Sequence, residues 1–275
     1  MKNKRPIIIS SIIIFIIAAV VICIPKVKGI SSSKDRSSIE KSGIEVSLFS
    51  EAEMLENQGE FLKARTLYRK ILEEYPDSGI VEEAQSKLND LNIKILFSPL
   101  ETEDSIFYEV KPGDTLAKIA GQHGTTVELL KKSNNLTGDI IHPGMMLKIS
   151  KARYSILVDK SQNILMLKAN DEILKIYNVS TGENNSTPIG TFKIINKLAN
   201  PTWYKAGAIV PPDSSDNILG TRWMGLDVLS YGIHGTTDES TIGLQITQGC
   251  VRMRNKDVEE LYSIVPIDTE VTIID

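Results

Sequence analysis

The most informative stretch of this chain lies between Tyr231 and Met253 and reads YGIHGTTDESTIGLQITQGCVRM. It holds His234, one of three histidines in 275 residues, and Cys250, one of two cysteines. A cysteine and a histidine that meet in space can form an activated thiolate, the nucleophile of covalent catalysis. Gly249, directly before the thiol, is free to adopt the backbone angles of a tight turn. These residues alone leave two interpretations open, a catalytic pair or a cysteine buried as a small hydrophobe.

Composition bounds the class of protein. The chain is long enough for two or three domains, and its hydrophobic content of 41% is ordinary for globular cores. Its net charge is −4, and the body of the chain has no block of Lys and Arg. Because nucleic-acid binding usually needs a basic face, the sequence predicts no nucleic-acid partner.

The N-terminus predicts a membrane anchor. The run from Ile7 to Ile24 carries no charge and is long enough to cross a bilayer. A cleaved signal peptide is the alternative, but the residues after Ile24 offer no small-residue cleavage site. We therefore predict a single transmembrane helix within residues 1–25, with the rest of the chain outside the cytoplasm. The polar, Ser-rich residues 26–45 are predicted to be a flexible linker.

This topology makes the cysteine count informative. With Cys23 inside the predicted membrane span, Cys250 is the one remaining cysteine, and no intramolecular disulfide is available to it. An unpaired thiol outside the cytoplasm is unusual, and reactivity is the leading explanation.

Residues 46–98 predict helices. Apolar residues recur at spacings of three and four, Gly59 separates the first helix from the second, and Tyr75-Pro76 ends the second. The run from Ala52 to Pro76 resembles a tetratricopeptide repeat, although one and a half repeats fall below the number needed for independent stability. A short helical hairpin that serves as a spacer or as a docking surface for a protein partner is favoured over a peptide-binding groove.

Residues 106–150 predict the order strand, helix, helix, strand. The segment resembles the lysin motif (LysM) throughout, from Val110 and the run Gly113-Asp-Thr-Leu116 to Pro143-Gly144. The resemblance implies binding of N-acetylglucosamine-containing glycan between two loops. The candidate glycan-binding residues are Gly113, Asp114, Thr115, Ile141 and Pro143.

Residues 152–275 are rich in predicted strands and resemble an L,D-transpeptidase catalytic domain. The matching motifs occur in the family's order; they are Ser180-Thr-Gly182, Thr187-Pro-Ile-Gly-Thr-Phe192, Pro201-x-Trp203, Gly232-Ile-His-Gly235 and Thr247-Gln-Gly-Cys-Val-Arg-Met253, with Asn255 and Asp257 behind the last of them. The resemblance implies a mainly-β sandwich that acts on peptidoglycan stem peptides. The irregular segment from Lys197 to Arg222, which precedes the site, is typical of a lid.

The resemblance also implies roles for individual residues. Cys250 would be the nucleophile, His234 its base, and the Gly235 carbonyl the acceptor that fixes the imidazole tautomer. Backbone amides of Gln248, Gly249 and Cys250 would form an oxyanion hole. Arg252 would order the turn or meet a substrate carboxylate, and the further candidate substrate contacts are Thr247, Tyr231 and Trp203. Gln248 departs from the family, in which many members have histidine or lysine there.

The implied chemistry is acyl transfer through a Cys250 thioester, which joins two stem peptides in a 3→3 cross-link. With water as acceptor the same site would be an L,D-carboxypeptidase. Two further readings stay open, a non-catalytic wall-anchoring scaffold and a zinc hydrolase that uses His234, Cys250 and a carboxylate such as Asp227. The zinc reading lacks any ligand spacing in the sequence, so we predict no metal and no cofactor.

The sequence therefore predicts a multidomain α+β protein. Its parts in chain order are a single N-terminal transmembrane helix, a linker, a short helical hairpin, a βααβ LysM domain and a mainly-β L,D-transpeptidase sandwich. The predicted partners are peptidoglycan stem peptides, glycan and the membrane.

Overall fold

The computed structural model describes residues 33–205 and 207–275, with the backbone alone for 33–42 and 205. Contacts between residues divide the chain into two units, 1–41 and 42–275. The predicted anchor over residues 1–25 and the first part of the predicted linker, 26–32, lie outside the described residues. Within the described residues, no helix is long and apolar enough to cross a membrane.

The predicted linker is wrong from Ser33 onward, because α1 runs from Ser33 to Asn57. The N-terminal part of α1 has no apolar stripe, so hydrophobic periodicity does not reveal it. Phe49 and Ala52 are buried in the core of the helical hairpin and hold the C-terminal part of α1 in place. Once a helix is nucleated, each further residue joins it at little cost, which explains its extension into a polar segment.

The predicted hairpin continues with α2 (Phe61–Glu74) and α3 (Val81–Leu96). Gly59 separates α1 from α2 and has a φ of 81°, a left-handed angle that glycine adopts without strain. The interpretation of this segment as tetratricopeptide-like stays a prediction. The three helices share one core, formed by Phe49, Ala52, Ala64, Tyr68, Ile71, Ala84, Leu88, Leu91 and Ile95.

The next segment has the predicted βααβ order. Its elements are β1 (Ser105–Glu109), α4 (Leu116–Gln122), α5 (Val127–Ser133) and β2 (Met146–Ser150), with β1 antiparallel to β2. Two threonines begin the helices as N-caps. The hydroxyls of Thr115 and Thr126 accept hydrogen bonds from the backbone N–H groups of Lys118 and Leu129.

The C-terminal segment is mainly β. One sheet of eight strands has the order β13-β11-β10-β7-β14-β3-β4-β5, and two small sheets pair β12 with β6 and β8 with β9. The elements are β3 (Tyr154–Asp159), β4 (Ile164–Ala169), β5 (Glu172–Asn178), β6 (Thr181–Gly182), β7 (Gly190–Ala199), β8 (Trp203–Lys205), β9 (Ala208–Val210), β10 (Arg222–Leu226), β11 (Gly232–His234), β12 (Gln245–Thr247), β13 (Val251–Arg252), α6 (Asn255–Ile264) and β14 (Glu270–Ile274).

Strand β7 joins the two halves of the large sheet. Its residues 190–193 pair with β14, and its residues 194–199 pair with β10. The predicted sandwich is thus, in its strand connections, one continuous sheet. Both halves and α6 face a single core, since Val158, Leu165, Ile233, Val251 and Leu261 all belong to one buried cluster.

The segment predicted as a lid is more ordered than the sequence indicates. It contains the end of β7 and the hairpin of β8 and β9, in which Trp203 pairs with Val210. Tyr204 and Ile209, on this hairpin, are exposed.

The helical hairpin of α1–α3 and the βααβ segment both pack against the mainly-β C-terminal segment. Ile93 of α3 and Leu129 of α5 are buried within the core of the mainly-β part. The Thr126 hydroxyl donates to the Ser263 carbonyl of α6, and Lys132 Nζ donates to the Ser263 hydroxyl at 2.9 Å. These contacts fix the βααβ segment to α6, so it is not a freely tethered module.

A buried lysine connects the βααβ segment to the end of α3 in the helical hairpin. Lys148 is 2% exposed, and its Nζ donates to the carbonyl oxygens of Ile95 and Ser98 at 3.1 and 2.8 Å. Because these carbonyls lie at the C-terminal end of α3, the ammonium group satisfies acceptors that the helix itself leaves open. Burial lowers the pKa of Lys148 to about 8.

Candidate active site

Cys250 follows a turn that only glycine can form. Gly249 has a φ of 121°, and a Cβ there would overlap the Tyr231 ring and come within 3.0 Å of the Ser186 carbonyl oxygen. The Thr247 hydroxyl braces the turn from inside. It donates to the Cys250 carbonyl at 2.6 Å and accepts from the Gly249 N–H at 3.1 Å.

Strand pairing brings the histidine and the cysteine to one face. β11 and β13 are parallel, with Ile233 opposite Val251 and His234 opposite Arg252. Because side chains alternate along strands, His234 and the residue before Val251 project to the same side of the sheet. Both His234 and Cys250 line one cavity of about 810 Å³.

The tautomer of His234 follows from its hydrogen bond. The ring is 2% exposed, and its Nδ1 lies 2.7 Å from the Gly235 carbonyl oxygen. A carbonyl only accepts, so Nδ1 carries the hydrogen and Nε2 keeps its lone pair. Burial, with a smaller contribution from the nearby Arg252 charge, lowers the pKa of His234 to about 4, although the Gly235 hydrogen bond opposes this shift. His234 is therefore a neutral base at physiological pH.

The thiol is neutral as well. Burial raises the pKa of Cys250, and the Gly232 backbone N–H and the Arg252 charge only partly oppose that effect. The S–H group is directed to the Ser230 carbonyl oxygen, 3.6 Å from Sγ. The activated thiolate that the sequence suggests is thus not the resting state, and a thiol and an uncharged imidazole line the cavity of the free site.

Two of the three predicted oxyanion-hole amides stay free. The Gly249 N–H donates to Thr247 Oγ1 and is therefore occupied. Within the described residues, the N–H groups of Gln248 and Cys250 donate to no backbone or side-chain acceptor. The Gly249 amide is unavailable for a geometric reason, since the Thr247 hydroxyl that braces the turn accepts its hydrogen.

Arg252 lines the cavity and keeps hydrogen-bonding capacity. Its Nη1 donates to Thr241 Oγ1 at 3.1 Å, whereas its buried Nε has no partner among the described residues. Within those residues no carboxylate lies within ion-pair distance of its guanidinium group. Burial lowers the pKa of Arg252, and the charge of Asp238 opposes that effect.

The other predicted substrate contacts divide into two groups. Tyr231 and Trp203 line the cavity and are accessible, as is Gln248 of the predicted oxyanion hole. Thr247 is 3% exposed and uses its hydroxyl inside the turn, so its position favours a structural role. The cavity is also flanked by exposed apolar side chains, which are Leu198, Tyr204, Ile218, Leu229 and Ile246.

Two residues around this cavity, Trp223 and Ser230, stand outside the motifs read from the sequence, and a third, Asn255, is part of the match with no role implied. Trp223 stacks on the His234 ring at a centroid distance of 6.0 Å, and Ser230 supplies the carbonyl that accepts the thiol proton. Asn255 Oδ1 accepts hydrogen bonds from the backbone N–H groups of Thr221, just before β10, and Thr236, just after the His234 strand. Trp223 stands outside the quoted motifs, and the strand pairing that places it opposite His234 is not visible in the sequence spacing.

The zinc interpretation finds no ligand cluster. Among the described residues, no three His, Cys, Asp or Glu side chains are grouped so that they could hold a metal ion. The Asp227 carboxylate accepts a hydrogen bond from the backbone N–H of Lys193 at 2.9 Å.

The two predicted glycan-binding loops lie side by side. Backbone hydrogen bonds join them, from Val110 N to Met145 O at 2.9 Å and from Gly144 N to Val110 O at 2.8 Å. Asp114 is turned inward, where its carboxylate accepts from the Tyr108 hydroxyl at 2.7 Å and from the backbone N–H of Lys111 at 2.9 Å. Because the carboxylate already accepts these hydrogen bonds, it has little hydrogen-bonding capacity left for a ligand.

The remaining groups of these loops face solvent. Gly113 and Pro143 are exposed, Ile141 is half-buried, and Ile140 is 77% exposed. The Thr115 hydroxyl caps α4, so Thr115, like Asp114, shapes the loop with its side chain. Backbone groups and apolar side chains are what this surface offers to a neutral ligand.

Comparisons with known proteins agree on two domains. The YkuD family, described as an L,D-transpeptidase catalytic domain, matches residues 153–273, and the LysM domain matches residues 108–150. A Bacillus licheniformis protein named "Putative L,D-transpeptidase YkuD" is 36% identical over 61% of this chain and 98% of its own length. The Bacillus subtilis protein of the same name is 36% identical over 60% of this chain and 97% of its own.

A solved L,D-transpeptidase from Mycobacterium tuberculosis H37Rv aligns with 48% of this chain and 63% of its own, with 14% identity and a TM-score of 0.40, too low a similarity to add to the assignment. The sequence relatives are sufficient, because the match to the Bacillus licheniformis protein extends over nearly all of that relative. The chain belongs to the L,D-transpeptidase family, with a YkuD catalytic domain preceded by a LysM domain.

Proposed function

We propose that this protein forms 3→3 cross-links between peptidoglycan stem peptides through a Cys250 thioester. One observation carries the proposal. His234 has its hydrogen on Nδ1, bound to Gly235, so the lone pair of Nε2 is available in the cavity that Cys250 also lines. A neutral imidazole in the same cavity as a neutral thiol can act as a general base that takes the thiol proton.

The first step is acylation. The thiol turns from the Ser230 carbonyl to His234, Sγ attacks the carbonyl carbon of the third stem residue, and Nε2 takes the thiol proton. The bond to the terminal D-alanine breaks, and the imidazolium returns the proton to the leaving amine. The product is a thioester on Cys250 and free D-alanine. The free amides of Gln248 and Cys250 support stabilisation of the intermediate oxyanion.

The second step is transfer. The side-chain amine of a diamino acid on another stem attacks the thioester carbonyl, and Nε2 of His234 takes a proton from that amine. The C–S bond breaks, and the proton returns to the departing sulfur of Cys250. An amide between two third-position residues results. If water attacks in place of the amine, the product is a free tripeptide and the enzyme is an L,D-carboxypeptidase.

Arg252 supports recognition of the donor stem. Its guanidinium lies in the same cavity, half-buried and with no ion-paired carboxylate among the described residues. A stem that ends in D-alanine brings a carboxylate two bonds from the scissile amide. We infer that Arg252 binds this carboxylate, because charge-assisted hydrogen bonds are strongest where water is partly excluded.

The placement of the protein is part of the proposal. Residues 1–25 would anchor it in the membrane, on the support of the uncharged run from Ile7 to Ile24, and the LysM loops would bind wall glycan. Membrane fractionation of the full chain and of a chain lacking residues 1–25 tests the anchor. Equal recovery of both in the soluble fraction would exclude it.

Mass spectrometry of products from purified disaccharide-tetrapeptides tests the reaction. Wild type should release D-alanine and form a dimer linked between third-position residues. Cys250→Ala should do neither, and an intact-mass shift after incubation with a carbapenem should occur in wild type alone. D-alanine without a dimer would identify a carboxypeptidase. No product and no adduct with folded wild type would favour the scaffold interpretation.

The glycan role is best tested by a point change. Deleting the LysM domain would remove Leu129 from the catalytic core and confuse binding with stability. Ile140→Asp changes an exposed loop isoleucine, and Ile267→Asp is a matched control because Ile267 is also an exposed isoleucine, in the catalytic domain between α6 and β14. Ile140→Asp should weaken co-sedimentation with insoluble peptidoglycan, whereas Ile267→Asp should not. Equal binding by both variants would contradict a role for this loop.

A further inference from the structure

Asn255 joins the two backbone segments that flank the catalytic histidine. It is the first residue of α6, and its Oδ1 accepts hydrogen bonds from Thr221 N at 3.0 Å and Thr236 N at 3.2 Å. Thr221 directly precedes β10, and Thr236 follows the strand that carries His234. One amide oxygen therefore holds both segments at the site.

One of these bonds reaches His234 through a single peptide group. The N–H of Thr236 and the carbonyl of Gly235 belong to the same planar peptide unit, in which they point in opposite directions. The carbonyl accepts from His234 Nδ1 at 2.7 Å, while the N–H donates to Asn255. Asn255 thus sets the orientation of the plane that binds Nδ1, and hydrogen bonds in such a chain polarise one another.

Two glycines make room for this arrangement. A Cβ at Gly220 or at Gly235 would overlap Asn255 Oδ1, and Gly220 also has a left-handed φ of 61°. Side chains at these positions would push the amide away from both backbone N–H groups. The sequence around the site is therefore adapted to the position of the Asn255 oxygen.

A role for Asn255 in its own helix does not account for these contacts. The N-cap of α6 is Arg254, and no side chain caps the helix with a hydrogen bond. An asparagine at the start of a helix commonly binds the free N–H groups of that helix. Here the oxygen turns away from α6 and toward the β10 and β11 segments.

We propose that Asn255 is a positioning residue of the catalytic site, which acts through the Gly235–Thr236 peptide group to hold His234 as the Nδ1–H tautomer with Nε2 facing Cys250. The inference rests on the proposed function of His234 as the general base. Asn255 is then a third polar residue of the site, after Cys250 and His234. It acts on the imidazole ring through a backbone peptide group and not through direct contact.

The charged groups near His234 bear on any pH test. Arg252 on β13 is the one that affects the His234 pKa, which it lowers. On β10, Arg222 lies 3.9 Å from Glu259 of α6. Asp257 of α6 lies 3.7 Å from Arg254. The hydrogen bonds of Asn255 go to Thr221 and Thr236 and to none of these charged groups.

The histidine ring itself provides the readout. Because the chain has three histidines, ¹⁵N labelling of histidine gives few signals, and His123→Gln and His142→Gln assign them. Full-length wild type should show His234 as a single Nδ1–H tautomer. Asn255→Ala should show a mixture of tautomers, and carbapenem acylation of Cys250 should slow by about 10- to 100-fold because the base is misplaced.

Asn255→Asp keeps an acceptor oxygen in the same place. It should preserve the Nδ1–H tautomer and most of the acylation rate, and its added negative charge should move the acid limb of the pH–rate profile upward. Asn134→Ala is the matched control. Asn134 also binds backbone on two segments, accepting from Lys148 N at 2.7 Å and donating to Leu130 O at 2.8 Å, but it lies in the LysM domain.

Different results would overturn the positioning role of Asn255 and the proposed function. If Asn255→Ala keeps the single tautomer and the wild-type pH profile, and loses no more activity than Asn134→Ala, Asn255 is only structural and the inference is overturned. If Asn255→Asp also scrambles the tautomer, the inference is overturned as well. If the tautomer responds as expected but wild type yields neither dimer nor tripeptide, the proposed function fails and the positioning role stands.

Discussion

His234 Nδ1 lies 2.7 Å from the carbonyl oxygen of Gly235, the next residue in the chain. The contact is local, yet it decides the chemistry of the ring, because it assigns the hydrogen to Nδ1 and the lone pair to Nε2. Burial makes the arrangement persist at physiological pH, since it lowers the pKa of His234 to about 4.

The pH dependence of acylation should reflect this value. The imidazole must be neutral to take the thiol proton, so the rate of carbapenem acylation should fall about tenfold for each pH unit below about pH 4. Intact-mass measurement of the adduct against time, from pH 3 upward, gives the profile. An acid limb centred near pH 6.5, the value of a solvated histidine, would contradict the buried neutral base.

Stability should depend on pH through the same group. The pKa of His234 is about 6.5 in the unfolded chain and about 4 in the folded one, so the unfolded state binds the proton first as pH falls. The contribution is fully present above pH 6.5 and is lost as the pH falls toward 4, by about 3 kcal/mol at most. Urea unfolding of wild type and His234→Gln at several pH values isolates it as a difference. His123→Gln, a replacement in the LysM domain, should leave the wild-type dependence unchanged.

Gly249→Ala should inactivate the protein and destabilise it. The alanine would have to keep a left-handed φ, and its methyl group would overlap the Tyr231 ring. Together the two effects should lower the free energy of unfolding by about 2–4 kcal/mol. Gly243→Ala is the control, since Gly243 has a φ of 93° but nothing within 4 Å of the added Cβ, so it should cost only about 1–2 kcal/mol and keep activity. Thermal unfolding and carbapenem acylation check both. Equal effects of the two substitutions would show that crowding at the turn is unimportant.

Leu129→Ala should weaken the catalytic domain although Leu129 belongs to the LysM helix α5. Its side chain is buried in the catalytic core, and truncation should cost about 2–5 kcal/mol. Both tryptophans of the chain, Trp203 and Trp223, lie in the catalytic domain, so their fluorescence reports its unfolding alone. Leu130→Ala is the neighbouring control, with a side chain buried in the LysM core. A tryptophan transition that Leu129→Ala leaves unmoved would contradict docking of the two domains.

Most secondary structure could be read from local patterns. The α2 and α3 helices have clear apolar stripes, and the turns around Gly59 and Pro76 mark their ends. The sequence does not predict the start of α1, because the local pattern that marks α2 and α3 is absent there. Residues 33–45 have no apolar stripe, and their helix depends on a neighbouring part of α1 that is held in a core.

The sequence by itself determined the reactive groups, because Cys250, His234 and the glycine before the thiol are a matter of residue type and short spacing. Only the tertiary structure decided their protonation, since burial and the Gly235 carbonyl act through space. It also decided that Thr247 occupies one predicted oxyanion amide, that α5 enters the catalytic core, and that Asn255 stands behind His234. These relationships join segments far apart in the chain, and strand pairing and packing, which no local pattern records, bring them together.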